Sequence, residues 1–583
     1  MILEALVRHY DDLLGNGDLE RPGWQGVKVS FALDIDDAGN LLRVISLMIP
    51  VMRGKKEALS PQTFYLPEQV KRASNVAANL FCDNSGYILG IDNKGKPERT
   101  LNCFNDCKSL HERVLKNVNH PVARAIIAFF ENWRPENARE HEAIKPYLDE
   151  ILSGGNLIFY YRGDYAQDIS ELQRAWDDEY SAQGDGDEMQ CLVTGRRDKI
   201  AILHPNIKGV QGAQPTGASV VSFNAPAYES YGRDGGQGLN APVSKRAAFA
   251  YGAALNYLLS DDKHRVRLGD TTVVFWAEGA QVAYADSFAA LLGESDQVDD
   301  NQLRDVMNKI SNGLNANWGN IALDPSNRFY ILGLAPNAAR LSVRFFLGNT
   351  FGSFVKNMRR HHDDLEIIKP SFDKRSMLSL WMLLYETVNT NSRDKAPSPL
   401  LAGELTRAVL TGATYPVLLY TQVQLRIRAQ REITRGRAAI IKAYLLRNTQ
   451  GQYADYKEAL TVELNENTTY PPYLLGRLFS ILEAIQEAAN PDINATIRDR
   501  YFNSACATPA AVFPLLVKLA QSHLKKLTPQ GKVYFGKQLT QIECMFDHSY
   551  PRRLNLHDQG IFQLGYYHQV QKRYQKKEDK ENG

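Results

Sequence analysis

The sequence predicts an α+β fold. A mixed α/β N-terminal region with antiparallel strands comes first, and an all-α C-terminal helical bundle follows. Three observations carry this. KVSFALDIDDAGNLLRVISLMI sets two apolar runs around Asp36-Asp37-Ala38-Gly39-Asn40, the pattern of a β-hairpin. TTVVFWAE (271–278) has the β-branched and aromatic content of a buried strand. From about residue 345 onward helical periodicity dominates and strand patterns nearly vanish, which puts a boundary near 370–380.

The elements follow in order. Ile2, Leu3, Leu6, Val7, Tyr10, Leu13 and Leu14 recur at helical spacing, so the chain opens on an amphipathic helix, ended by GNGD (15–18). NLFCDNSGYILGID reads as a second β-like stretch turning at Asn84-Ser85-Gly86. Residues 105–152 read mostly as helices, LIFYYRGD (157–164) as a strand and ELQRAWDDEY (171–180) as a short helix. CLVTG and IAILHP are strand-like and KRAAFAYGAALNYLL (245–259) is a helix. The acidic stretch 283–305 reads as a surface helix pair or an insertion, and RFYILGLAP (328–336) as another strand. Further on, Leu474, Leu478, Ile481, Leu482 and Ile485 form one apolar face. Residues 473–545 then read as a small bundle able to stand by itself, and the charged end KRYQKKEDKENG as disordered. Three regions result: 1–375, with its most distinctive segment at 191–278; a helical region 376–460; and a bundle 461–583.

At 583 residues the chain is long enough for about three or four structural units. Its 44% apolar and 23% charged content is that of a soluble globular protein. Net charge is only +2, so nucleic-acid affinity has to come from local patches. Six scattered cysteines (82, 103, 107, 191, 506 and 544) fit a reducing cytoplasm better than a disulfide framework. MILEALVRHYDDLL is no signal peptide, and no apolar stretch is long enough for a membrane span. A cytoplasmic location is expected.

Standard catalytic motifs are missing: there is no GxxxxGK[ST], GxSxG or HExxH. Two fragments imitate metal sites. His362-Asp363 in RRHHDDLEI is the core of a metal-dependent phosphohydrolase motif, yet reads equally as a polar helix face. Cys103, Cys107 and His111 would align on one helix face, with Cys82 as a fourth ligand, yet lack the close spacing of zinc knuckles. Ordinary packing is the expectation for both, with no metal or other cofactor.

Two segments suit nucleic acid instead. TQVQLRIRAQREITRGRAAIIKAYLLRN (421–448) has many arginines against one acid, Glu432. On a continuous helix Arg428, Arg431, Arg435 and Lys442 share a face that would track phosphates, the alternative being a solvated face with local ion pairs. The loop SFNAPAYESYGRDGGQGLNAPVSK (222–245) and its flanks offer glycines, amides and hydroxyls. Such groups suit base edges and phosphates, or a loop that hydrogen-bonds itself.

The run CLVTGRRDKIAILHPNIKGVQGAQPTGASVVSFNAPAYESYGRDGGQGLNAPVSKRAAFAYGAALNYLL, followed by GDTTVVFWAE, closely resembles the signature region of the type I-C CRISPR large subunit. MILEALVRHYDDLL, LFCDNSGYILG, FYILGLAPNAARLSVRFF and GSFVKNMRRHHDDLEI resemble that family too, so the likeness spans essentially the whole chain. The resemblance implies a non-catalytic subunit of the RNA-guided antiviral surveillance complex (Cascade). Such a subunit reads the protospacer-adjacent motif on duplex DNA, helps open the duplex into an R-loop and holds the displaced strand. Implied partners are CRISPR RNA, target DNA, the CRISPR-RNA-processing subunit, the repeated backbone subunits, small subunits and a helicase-nuclease that degrades the target. It also implies that residues from about 460 match a bundle made separately as the small subunit. Within that role, residue chemistry selects Gln211, Gln214, Asn224 and Asn240 for groove readout, and Lys208, Arg233, Lys245 and Arg246 for phosphates. Asn75 and Asn79 are a second choice for DNA. The other possible roles are a scaffold subunit that contacts only RNA and neighbouring subunits, or a metal-dependent nuclease.

Overall fold

The computed structural model describes all residues except 20, 54–55, 71, 73–75, 183–186, 224–225, 229–237, 293–298, 393–394, 450–456, 547–548 and 582–583. The fold is α+β, as the periodicities predict, but the chain divides differently from the expected 1–375, 376–460 and 461–583. One compact unit holds residues 1–205 and 221–255, and the other holds 206–220 and 256–583.

In the first unit the opening helix Ile2–Asn16 stops where Gly17 turns left-handed. The predicted hairpin pairs Phe31–Ile35 with Leu41–Ser46. At its turn the Asp36 carboxylate accepts the Ala38 and Asn40 N–H groups. Gly39 is required there: its φ is +78°, and a Cβ would lie 2.2 Å from the Phe129 nitrogen. Phe31–Ile35 also pairs in parallel with Asn156–Tyr161, the one parallel pair among these strands. A parallel pair needs a long return path, and the helices Pro97–Leu115 and Pro121–Asn132 occupy it. Trp24–Val29, Lys56–Pro67 and Met48–Arg53 form a separate antiparallel sheet.

Two local expectations fail in this unit. Asn84 caps a helical turn, Ser85–Ile88, by accepting the Gly86 N–H, so no hairpin turn forms there. CLVTG is the turn of a small ribbon between Glu188–Gln190 and Arg197–Lys199, and IAILHP contributes only one bridge, Ile200 to Ser244. Leu192 and Leu203 are exposed, so the apolar content of these stretches is not that of a buried strand.

The second unit is built on an antiparallel sheet in the order Arg265–Leu268, Thr271–Ala277, Arg328–Asn337, Arg340–Thr350. All seven residues of Thr271–Ala277 are buried. The edge strand Arg340–Thr350 has no sequence signal, because only Leu341 and Phe345 on it are buried. Val282–Leu291, expected on the surface, is a core helix through Ala283, Tyr284, Phe288 and Leu291. One hydrophobic core runs from Val266 on the sheet to Tyr567 near the end of the chain. That core includes residues on both sides of the expected boundaries near 375 and 460.

The helices Pro471–Ala489 and Leu556–Glu581 cross at backbone contact. A Cβ on Gly476 would meet the Phe562 carbonyl oxygen at 1.9 Å, and one on Gly565 would meet the Tyr473 oxygen at 2.2 Å. Residues 472–485 are buried without a break, so this helix is enclosed on every side and has no single apolar face. Its polar groups are satisfied inside: the Glu483 carboxylate accepts the hydroxyls of Thr496 and Tyr566. Residues 473–545 therefore do not form a bundle by themselves, since their main partner lies beyond them. The charged end, expected to be disordered, continues that partner helix to Glu581.

The basic segment 421–448 is not one helix. Val417–Gln430 ends at Arg431, whose φ is +56°, and Arg435–Asn448 starts afresh under a Thr434 cap. Arg428, Arg431, Arg435 and Lys442 thus do not form a stripe. Arg435 is largely enclosed, donating to the Asp373 carboxylate (3.0 Å) and to the carbonyls of Arg375 (2.7 Å) and Ser376 (2.9 Å). Lys442 is buried and donates to the Asp364 carbonyl, and burial lowers its pKa. Arg447 donates twice to the Asp364 carboxylate, and Arg437 pairs with Glu386. The acids that answer these bases lie about 50–80 residues earlier in the chain, where a local charge count does not look.

Gly476→Ala should destabilise the protein by about 3 kcal/mol through overpacking. Gly403→Ala, at a helix position with nothing within 4 Å, should be neutral or slightly stabilising. Urea-unfolding midpoints distinguish the two. Burial raises the Asp373 carboxyl pKa, but hydrogen bonds from Arg435 and Arg375 more than reverse this and leave it below the usual value. Its contribution is therefore present above the unfolded pKa and lost as pH falls through the lower folded one. Asp373→Asn should cost about 3 kcal/mol at pH 7, with the gap to wild type closing below about pH 4 in unfolding titrations.

Candidate nucleic-acid interface

Residues 206–220 belong to the second unit, where they form a short loop closed at its base. Ile207 and Ala218 exchange both backbone hydrogen bonds, at 3.0 and 2.9 Å. The loop is fastened by main-chain groups. The Lys208 N–H donates to Asn256 (2.8 Å) and the Gln211 N–H to the Thr272 hydroxyl (3.1 Å). Val210 is buried beneath. Gly209, Gly212 and Gly217 all have positive φ, which lets the chain reverse in so few residues. With the backbone so occupied, the Lys208, Gln211 and Gln214 side chains are exposed and make no hydrogen bond with the described residues. A rigid loop showing two free amides and an ammonium suits base edges and a phosphate.

Residues 221–246 belong to the first unit. Asn224 and Arg233 lie outside the described residues, as does Asn75. Asn240 is exposed, but its amide donates to the Tyr228 carbonyl (2.6 Å) and so helps close its own loop. Lys245 begins the helix Lys245–Ser260 with its ammonium 6.0 Å from the Tyr180 ring centre. Arg246 pairs with Asp11 across 2.9 Å at the surface, an exposed pair that adds little stability and leaves the guanidinium able to change partners. With Arg21 and Lys199 the two line a cavity of about 230 Å³. Asn79 is a correction. It is buried and its oxygen accepts the Val70 N–H, so it shapes the fold and cannot read a groove.

Of the expected strand path only Arg428 and Arg431 keep side chains that are not enclosed, and Arg428 donates to Gln559. A better surface escaped the sequence reading. Residues 500–542 contain six Lys/Arg and no Asp or Glu. Arg500, Lys518, Lys525, Lys526, Lys532 and Lys537 are all exposed, and none forms an ion pair with the described residues. The helices Pro509–Leu524 and Pro529–Glu543 carry three of them, and Lys525 and Lys526 lie between the two. The detectable signal was a missing residue type, spread over too long a window to look like a basic run.

The metal-like fragments are occupied by the fold. His111 donates from Nδ1 to the Cys107 carbonyl (2.8 Å) and accepts the Phe81 N–H at Nε2 (3.0 Å), leaving no lone pair for a metal. Burial lowers its pKa to about 4. His361 is buried against the Tyr415 hydroxyl (2.6 Å), and His362 faces the Leu291 carbonyl. Among the described residues no group of three or more His, Cys, Asp or Glu is placed to hold a metal ion. No helix among them is long and apolar enough to cross a membrane.

No curated protein matches the chain. A family model, described as CRISPR-associated protein (Cas_Csd1), matches residues 6–574. That match takes in both units, the fastened 206–220 loop and the acid-free stretch 500–542 alike. The chain belongs to the Cas_Csd1 family of CRISPR-associated proteins.

Proposed function

We propose that this chain is the large subunit of a type I-C RNA-guided surveillance complex of the Cascade kind, acting in the cytoplasm. It recognises the protospacer-adjacent motif on duplex DNA, promotes opening of the duplex and holds the displaced strand. Recognition of most of the target is left to pairing with CRISPR RNA, so the protein needs only a few base-edge contacts and a basic path. It performs no chemistry of its own. A helicase-nuclease cuts the target, and the processing subunit, repeated backbone subunits and small subunits complete the assembly. The observation that carries this reading is the fastened loop 207–218, with its exposed Lys208, Gln211 and Gln214, in a chain of a CRISPR-associated family. The acid-free stretch 500–542 supports the strand-holding part, because an uncompensated positive surface releases counterions on binding phosphates.

Gln214→Ala and Gln211→Ala should each weaken binding to motif-bearing duplex about tenfold while leaving motif-free duplex unchanged. Equal loss on both duplexes in a titration would sink the readout role. The triple change Lys525→Ala, Lys526→Ala, Lys532→Ala should lower the slope of log affinity against log salt by about two for single-stranded DNA. An unchanged slope removes the path from this surface.

A further inference from the structure

Residues 369–375 read KPSFDKR, and Phe372 at the tip is 85% exposed, more than any other aromatic side chain among the described residues. A single exposed apolar residue on a loose loop needs no explanation. This one is held out by a braced turn. The Asp373 N–H donates to the Pro370 carbonyl (3.0 Å), and its carboxylate receives Arg435 and Arg375. Lys369 donates to the carbonyls of Lys374 and Arg375, at 3.4 and 3.3 Å. Ile368 is fixed on both sides, its N–H donating to Val462 (2.9 Å) and its carbonyl accepting the Tyr567 hydroxyl (2.7 Å).

Beside the turn lies a groove of about 700 Å³, within the ~300–1,000 Å³ range of small-ligand sites. Phe372, Met382, Ile433, Tyr567 and the half-exposed Tyr574 give it flat, apolar walls. The charges around the turn are positive. Lys369, Lys374 and Arg375 are exposed, whereas Asp373 is neutralised by Arg435, and Glu386 by Arg437. Glu432 is the one exposed acid in the lining. An aromatic platform flanked by cations is what an unpaired nucleotide needs: stacking for the base, and Lys or Arg for its phosphates. An apolar protein segment would use the walls but leave the surplus positive charge of Lys369, Lys374 and the two arginines that share Asp373 unanswered.

We infer that this groove receives one unpaired base of a single-stranded nucleic acid, stacked on Phe372, with the adjoining phosphates on Lys374 and Arg375. This rests on the nucleic-acid reading above and goes further by naming a stacking residue away from the 509–543 helices. A base inside a duplex is already stacked and cannot enter, so the groove favours opened strands.

The test uses the full chain with a labelled thymidine 20-mer, an abasic 20-mer of equal charge, and a duplex. Phe372→Ala should bind the thymidine strand about tenfold more weakly. Its affinities for the abasic strand and the duplex, and its melting temperature, should not change. Phe372→Trp should restore the preference for bases, and Phe372→Leu should not. If Phe372→Ala keeps wild-type affinity for the thymidine strand, the stacking role is overturned while strand binding stands. If leucine restores as fully as tryptophan, the site is an apolar docking surface and the proposal fails. If wild type binds neither single strand, the nucleic-acid reading falls with it.

Discussion

The buried pair between Asp373 and Arg435 organises much of the second unit. It joins the first residue of the helix Arg435–Asn448 to the braced turn that carries Phe372, with the Arg435 side chain 10% exposed. The guanidinium also donates to two backbone carbonyls, so three of its five N–H groups are engaged inside the protein. A buried pair of this kind is costly to break because either partner alone is a desolvated charge. The same pair removes Arg435 from any ligand. A residue type that suits phosphate binding has been used to fix the fold.

Legibility in the sequence followed the range of the interaction. The opening helix, the Phe31–Ile35 hairpin and the buried strand Thr271–Ala277 are set by neighbours in the chain, and their patterns were plain. The basic segment misled because Asp364 and Asp373 reach it only in three dimensions. Asn79 misled for the same reason: an amide looks identical in sequence whether it faces a groove or a backbone N–H at residue 70. Within the candidate site, Lys208, Gln211 and Gln214 stayed exposed because main-chain groups fasten their loop. Phe372 gave no signal, since a lone phenylalanine normally reads as core.

The proposed role matches how polar groups are distributed. His111 is enclosed by aromatic packing between Phe81, Phe130 and Phe159 and by backbone hydrogen bonds. At the proposed contacts the exposed groups are the amides of Gln211 and Gln214, lysine ammonium groups and the Phe372 ring. Such groups suit selecting and holding a polyanion.

The division of the chain has a consequence for how the protein can be inherited or dissected. The backbone passes between the two units three times, at 205/206, 220/221 and 255/256. Neither unit is therefore a continuous stretch of gene. A fragment beginning at 256 lacks the loop whose backbone is fastened to Asn256 and Thr272, and one ending at 205 lacks the helix that starts at Lys245. Recombination or proteolysis at a single position therefore cannot release either unit whole.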